Sequence, residues 1–440
     1  MKILWLLNEL PPMVAEQLNR VGSNKEGWIS GALSRIVKDD LLTLSICYPV
    51  ESEAEIKDDE VRLGSSVIQC FAYFEDRKHP ERYSLLAESR FNEILKKAHP
   101  DLVHIFGTEY GHTLAMVRTI NKQGEAAPKL LIGIQGVIYR CGEEYTCDLP
   151  DEVVNGYTFR DIIKHDSIAN QQAKFLERGE WEKEAIRNCP NITGRTDFDK
   201  NIVEGLNVSA RYFAMNETLR TPFYEGKWDI NTCEKHVLFV SQADYSLKGF
   251  HIVLEAMSEI MNKFPDVKVR VAGANICATN SLKDRIKLGS YGKYLNNLIK
   301  SYGLEGKVEF LGRLDVEAMK REYLRCHTYV CASSIENSPN SMGEAMLLGV
   351  PVVASRVGGS PSLIAEEEEG LLFEACNADG LAEDIIRIWK DDNLAMKLSA
   401  KARERAVLTH DADANYRRLI DIYEEICKNL AFYEIILILI

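Results

Sequence analysis

Continuous apolar runs alternate with longer amphipathic stretches throughout the chain, and this alternation constrains its fold more than any other feature. A strand buried on both faces is apolar at successive positions, whereas a strand with one wet face alternates. Fully apolar runs separated by helical stretches are the pattern of parallel sheets covered by helices on both sides. In the first half the runs lie at 3–7, 42–48, 67–74, 102–106 and 130–134, with shorter additions at 191–194 and 212–214. In the second half they lie at 237–240, 267–272, 308–311, 329–332, 352–354 and 371–373. Helices are expected after Gly249, Asn280, Asp315, Ser341 and Asp379, and a polar helical stretch between Tyr139 and Asn188.

The expected class is therefore α/β, with two doubly wound domains whose strand C-termini turn towards a common cleft. A polar, strand-free stretch from Thr218 to Lys235 divides them. The expected domains are 1–232 and 233–411, and 412–440 forms a terminal helix and apolar tail packing back towards the first. At 440 residues, each half is long enough to bury its own core.

A formal net charge of −13 argues against nucleic acid as a partner, because phosphate neutralisation needs concentrated Lys and Arg. The 11 cysteines are odd in number and scattered through apparent strands and helices; Cys141 and Cys147 are the closest pair. No metal-type spacing appears, and reduced thiols of a cytoplasmic protein are expected. The apolar run after Met1 is too short for a signal peptide and reads as a first strand, so the glycosylation sequons at Asn191, Asn207 and Asn216 carry no meaning. The tail 435–440 is too short to span a bilayer. It reads either as packing against a neighbouring domain or as peripheral contact with the inner face of a membrane. Gly-x-Gly-x-x-Gly follows none of the strands, which disfavours an NAD enzyme.

Chemistry concentrates in the segment from Ser334 to Ser355, where Glu336 and Glu344 stand eight residues apart. Ser341 is expected to cap a helix that stops at Gly349. The free N–H groups at such a helix start suit a phosphate, and the two carboxylates suit hydroxyls on either side of it. Ser341-x-x-Glu344 reads equally as a capping box. Upstream, Lys248 precedes the helix-opening Gly249, where it reaches a diphosphate or merely closes a turn. Gly273 ends a strand where backbone approaches a ligand closely, and Gly312-Arg313-Leu314 ends another, placed to frame a flat base.

Lys248-Gly249, Gly273, Leu311-Gly312-Arg313-Leu314, Glu336-x7-Glu344, Gly349-Val-Pro-Val-Val-Ala-Ser355 and Gly358-Gly359, in that order, resemble the family 4 retaining glycosyltransferases of the GT-B fold over residues 236–425. The resemblance implies a nucleotide-sugar donor on the C-terminal domain and a saccharide or lipid-linked acceptor on the N-terminal one, with no metal or other cofactor. It assigns Glu336 to the donor sugar and its oxocarbenium-like transition state, and Glu344 to the ribose hydroxyls. Lys248 and the backbone at Asn340 and Ser341 would hold the diphosphate. The glycine loop of the family corresponds to 22–27, placing Gly27 beside the donor phosphates. Two departures stand out. Gln242 occupies the place of a family arginine, for which Arg195 is a candidate substitute; Arg195 reads equally as an ion pair with Asp197 or Asp199. Gln135 follows the strand where many members carry a histidine, so a charged relay from that position is in doubt. Glu109 and Tyr110, beyond a strand end, are placed on the acceptor side, whereas His104 within that strand reads as core. Retaining glycosyl transfer in surface polysaccharide synthesis is the expected activity. A nucleotide-sugar epimerase and a non-catalytic nucleotide-sugar-binding protein are the alternatives.

Overall fold

A computed structural model describes residues 1–20, 22 and 27–438, and of 27, 28 and 429–438 the backbone alone. Most of the expected glycine loop and the end of the apolar tail thus lie outside the described residues.

The chain divides into two compact units: 1–139, 177–219 and 410–440 form one, and 140–176 with 220–409 form the other. The expected division at 232/233 differs from this in two places. Trp228 joins the second unit because its backbone N–H donates to Leu348 O (2.8 Å) and its indole Nε1 to Cys326 O (2.8 Å). The 140–176 segment joins it because Ser246 Oγ donates to Tyr145 O (2.6 Å) and Ser290 N to Asp161 Oδ2 (3.0 Å).

The first unit holds β1 (Lys2–Leu6), β2 (Thr43–Val50), β3 (Asp58–Leu63), β4 (Ser66–Phe74), β5 (Leu102–Phe106), β6 (Lys129–Gly133), β7 (Asn191–Gly194) and β8 (Arg211–Ala214). Their order is β3-β4-β2-β1-β5-β6-β7-β8, parallel except for the β3–β4 pair. Along β1, Ile3 and Trp5 enter one core and Leu4 and Leu6 the other, so the strand is apolar at successive positions. β3 was not expected: its Asp-Asp-Glu start carries no apolar run, and as an edge strand it buries only Val61 and Leu63. The helix Ala412–Ile438 supplies Leu419, Ile422, Tyr423 and Ile426 to the same core as Trp5. There the Tyr423 hydroxyl accepts from Trp5 Nε1 (2.9 Å) and meets His104 Nδ1 (2.7 Å). His104 is thus a core residue, as its apolar neighbours suggested.

The second unit holds β9 (Val237–Val240), β10 (Lys268–Val271), β11 (Val308–Phe310), β12 (Thr328–Cys331), β13 (Val352–Ser355) and β14 (Leu371–Phe373), in the order β11-β10-β9-β12-β13-β14 and all parallel. The chain runs outward from β9 in one direction and then returns to β12 on its other side. Such a reversal opens a crevice at the carboxyl ends of the two central strands, where open α/β sheets bind ligands.

Candidate functional site

Lys248 follows β9 and Glu336 follows β12, so the two lie at the reversal point of the second sheet. Lys248 Nζ is 2.5 Å from Glu336 Oε1, which also accepts from Ser333 Oγ at 2.7 Å. Burial works to lower the Lys248 ammonium, and the adjoining Glu336 carboxylate outweighs it, holding the lysine well above its ordinary value.

Two glycines fix this geometry. Gly249 has φ +63°, and a Cβ there would fall 1.8 Å from Ala332 O, so only glycine lets the loop after β9 lie on the backbone after β12. Gly358 has φ +49°, and its Cβ would fall 1.9 Å from Glu336 O, the same oxygen that accepts from Gly359 N at 2.9 Å. The Gly358-Gly359 turn therefore clamps the backbone of Glu336 from above.

The helix after this loop spans Asn340–Leu348. Its N-cap is Pro339 rather than Ser341, because the Pro339 carbonyl accepts from Met342 N (3.0 Å) and starts the helix two residues earlier than expected. The Ser341 hydroxyl accepts instead from Tyr329 OH (2.8 Å). Asn340 and Ser341 sit in the first turn, whose N–H groups an α-helix leaves without intrahelical partners. The capping-box alternative for Glu344 does not hold. Its carboxylate takes both prongs of the Arg220 guanidinium, Nε to Oε1 and Nη2 to Oε2, each at 2.8 Å. Burial pushes the Glu344 carboxyl up, and the guanidinium opposes that rise. Sequence reading missed Arg220, which lies in the polar stretch taken for a linker. Its partner is 124 residues away and no local pattern announces it.

Gly273 N donates to Gly312 O (2.8 Å), tying the ends of β10 and β11 together. Arg313 is exposed and Leu314 half-buried just beyond. Gln242, in the place of the missing arginine, donates to Asp244 Oδ2 (3.5 Å).

In the first unit, Gln135 and Arg195 are brought together by a residue not anticipated, Glu217. Gln135 Nε2 donates to Glu217 Oε1 (2.7 Å), and Arg195 Nη1 pairs with Glu217 Oε2 (2.8 Å), the two charged side chains being only 5% and 2% exposed. The Asp199 carboxylate caps the helix Asp197–Leu206 with Thr196 and accepts from the Arg195 backbone N–H (3.0 Å). A buried partner of the Arg195 guanidinium is thus Glu217, which the sequence did not suggest.

Glu109 follows β5, next to β1 and at the reversal point of the first sheet. It accepts from Asn8 Nδ2 (2.7 Å) and Gly136 N (3.0 Å), and burial raises its carboxyl above the usual range. Tyr110 lies under Arg77 and Arg178, whose guanidinium carbons are 5.9 and 5.7 Å from its ring centre. A second carboxylate, Glu182, is buried beside them; it accepts from Thr108 Oγ1 and from Tyr139 N (2.9 Å), and burial pushes it up to about 7. Gly27 opens the helix Gly27–Ile36.

Residues 221–405 match the family model of glycosyl transferases group 1. The chain is 28% identical over 192 residues (43% of this chain, 45% of the relative) to the phosphatidyl-myo-inositol mannosyltransferase of Mycolicibacterium smegmatis. It is 26% identical over 180 residues (41% of each) to the D-inositol 3-phosphate glycosyltransferase of Corynebacterium urealyticum. The chain spans about half the length of the curated relatives it matches. Among solved structures, the sucrose-phosphate synthase of Thermosynechococcus elongatus aligns with TM-score 0.66 and 15% identity over 97% of this chain and 98% of that one. Anabaena HepE in complex with UDP-glucose aligns with TM-score 0.62 and 15% identity over 97% and 100%. These likenesses place the chain in the GT-B fold.

Proposed function

We propose, from the match of residues 221–405 to the family model of glycosyl transferases group 1, that the protein moves a sugar from a nucleotide-diphosphate donor to a saccharide or lipid-linked acceptor. The observation that carries this reading is the Lys248–Glu336 pair at the reversal point of the second sheet, clamped by Gly249 and Gly358. The relatives named as glycosyltransferases and the HepE complex with UDP-glucose support the same reading.

In this mechanism the donor diphosphate takes Lys248 from Glu336 and rests on the first turn of the helix Asn340–Leu348. Lysine charge and N–H dipoles then stabilise the departing diphosphate without a metal. Glu336, released from the lysine, faces the sugar and balances positive charge as the glycosidic bond breaks. Glu344, held flat by Arg220, presents carboxylate oxygen to the ribose, while Gly273, Arg313 and Leu314 border the base. Transfer with retention would have the acceptor hydroxyl bond to the anomeric carbon on the face that the diphosphate leaves, its proton passing to the departing phosphate oxygen. Glu109, Tyr110 and Gln135 lie on the acceptor side, and Arg195 fixes Gln135 through Glu217.

Glu336→Gln separates these steps. It removes charge near the developing cation and also releases Lys248, so turnover should be abolished while nucleoside diphosphate binding is kept or tightened. The assay is a nucleotide-sugar thermal-shift screen followed by radiolabelled transfer; a ligand stabilises the native protein by mass action. Turnover within a few-fold of wild type would refute the assignment of Glu336.

A further inference from the structure

Two short helices of the second unit wear their polarity inside out. In Phe159–Lys164 the buried residue is Asp161, whereas Phe159, Ile162 and Ile163 are exposed. In Leu282–Lys287 no residue is buried, and Leu282 and Ile286 face solvent. These five side chains are 48% to 75% exposed, and Tyr157 beside them is 60% exposed. A soluble helix turns such residues inward, so the inversion needs a cause.

The arrangement is built, because Asp161 is fully engaged beneath it. Its carboxylate accepts from Thr158 N (2.9 Å) in a capping box and from both the N–H (3.0 Å) and the hydroxyl of Ser290. That fixes the first helix against the chain that continues from the second, and the two helices touch. Phe159, Ile163 and Ile286 also line a cavity of about 840 Å³ that runs inward to Tyr145 and Phe175. The apolar face is thus open to solvent and continuous with a partly apolar hollow.

Charge identifies what covers it. The chain as a whole carries −13, yet Lys164, Lys283, Arg285 and Lys287 are all exposed around this face. The carboxylates of the same segments are hydrogen-bonded or ion-paired within the protein, Asp284 at the surface in its own capping box with Ser281, Asp161 on Ser290 and Asp166 on Arg160 (2.7 Å), and the exposed Asp244 on the cavity wall stands against four exposed cations. Exposed apolar side chains rimmed by cations complement an anionic lipid surface.

We propose that this face docks onto an anionic bilayer, with Phe159, Ile162, Ile163, Leu282 and Ile286 entering the acyl boundary and Lys164, Lys283, Arg285 and Lys287 meeting lipid phosphates. Among the described residues no helix is long and apolar enough to cross a membrane, so the contact is peripheral. The proposal does not depend on glycosyl transfer and is measured without any donor.

The test is sedimentation of the full chain with vesicles of phosphatidylcholine, alone or mixed with phosphatidylglycerol. Binding should require the anionic lipid and weaken as salt rises. Ile162→Glu with Ile163→Glu should weaken it at least about tenfold, and Lys283→Glu with Lys287→Glu by about fivefold or more per cation. Because these positions are exposed, both variants should melt with the wild type. Equal binding to neutral vesicles, or none to either, would overturn the proposal. Undiminished binding by both variants would place the lipid contact elsewhere, the 435–440 tail included. A dimer in light scattering that the Ile→Glu pair dissociates would show that a second copy covers the face.

Discussion

Arg220→Met tests the least expected feature of the site. The substitution keeps most of the side-chain volume and removes the guanidinium that grips Glu344 at two points. Glu344 is 5% exposed and Arg220 20%, so the pair is largely desolvated. Breaking a buried pair by removing one partner costs roughly 3–5 kcal/mol, and the partial exposure of Arg220 puts this case near about 3 kcal/mol. That is about two decades in the opening equilibrium of the helix Asn340–Leu348. The cost should depend on pH. Burial already pushes the Glu344 carboxyl up against the pull of Arg220, and in the variant it moves further up. A carboxyl whose folded pKa exceeds its unfolded value contributes stability that is present at low pH and lost as pH rises through the folded value. The slope is about 1.4 kcal/mol per pH unit. The variant should therefore lie closest to wild type at about pH 5 and furthest above about pH 7. Hydrogen exchange of peptides from 340–348, corrected for intrinsic rates, reads this opening directly. Arg220→Met with Glu344→Gln should recover much of the loss, since no buried charge is then stranded. Unchanged protection in the single variant, or a double variant no better than the single, would refute the reasoning.

Lys248→Ala should weaken binding of a nucleoside diphosphate by one to two decades, because a charge-assisted contact contributes roughly 1.5–3 kcal/mol. Calorimetry with the free nucleoside should show little change, and equal loss for both ligands would place the lysine away from the phosphates. His104 gives a stability prediction: burial lowers its pKa to about 3, while the unfolded chain titrates near about 6.5. As pH falls below that unfolded value, the unfolded chain gains a proton the native core refuses, so stability present above it is lost on acidification. His104→Phe should flatten the urea-unfolding stability profile between about pH 6.5 and about pH 5 by about 2 kcal/mol, and an unchanged profile would count against a neutral buried imidazole.

What the sequence disclosed and what it withheld follow from the range of the interactions involved. The strands 237–240 and 371–373 have the boundaries their apolar runs suggest, because a strand buried on both faces is apolar at successive positions. The edge strand Asp58–Leu63 escaped because an edge needs only alternate positions buried and here begins with three acids. Glycine positions that force backbone against backbone, Gly249 on Ala332 and Gly358 on Glu336, were legible as turns but not as clamps. The long-range charge pairs were illegible. Arg220 and Glu344 are far apart in sequence, and Glu217 sits in a stretch noticed only for its sequon. Cys147 and Cys376, whose sulfurs lie 2.7 Å apart, were likewise not anticipated as neighbours.

Those charge pairs share one property that bears on how a donor would be held. Lys248 is neutralised by Glu336, Glu344 by Arg220, and Arg195 by Glu217. A ligand diphosphate at Lys248 therefore exchanges one anionic partner for another instead of filling a vacant cationic site. Exchange gives less net affinity than capture, since the displaced carboxylate must find water or a new partner. At Glu336 that cost is useful, because the carboxylate freed by donor binding is the one assigned to the sugar. Under the proposed function, binding and catalytic readiness would be a single event, the lysine being withdrawn from the carboxylate only when a diphosphate arrives to claim it. Glu344 is gripped by its guanidinium at two points, which would suit a residue presenting a fixed acceptor geometry to hydroxyls. Two carboxylates eight residues apart thus differ in the cations beside them, one a lysine and one a bidentate arginine, and the proposed function gives each a different task.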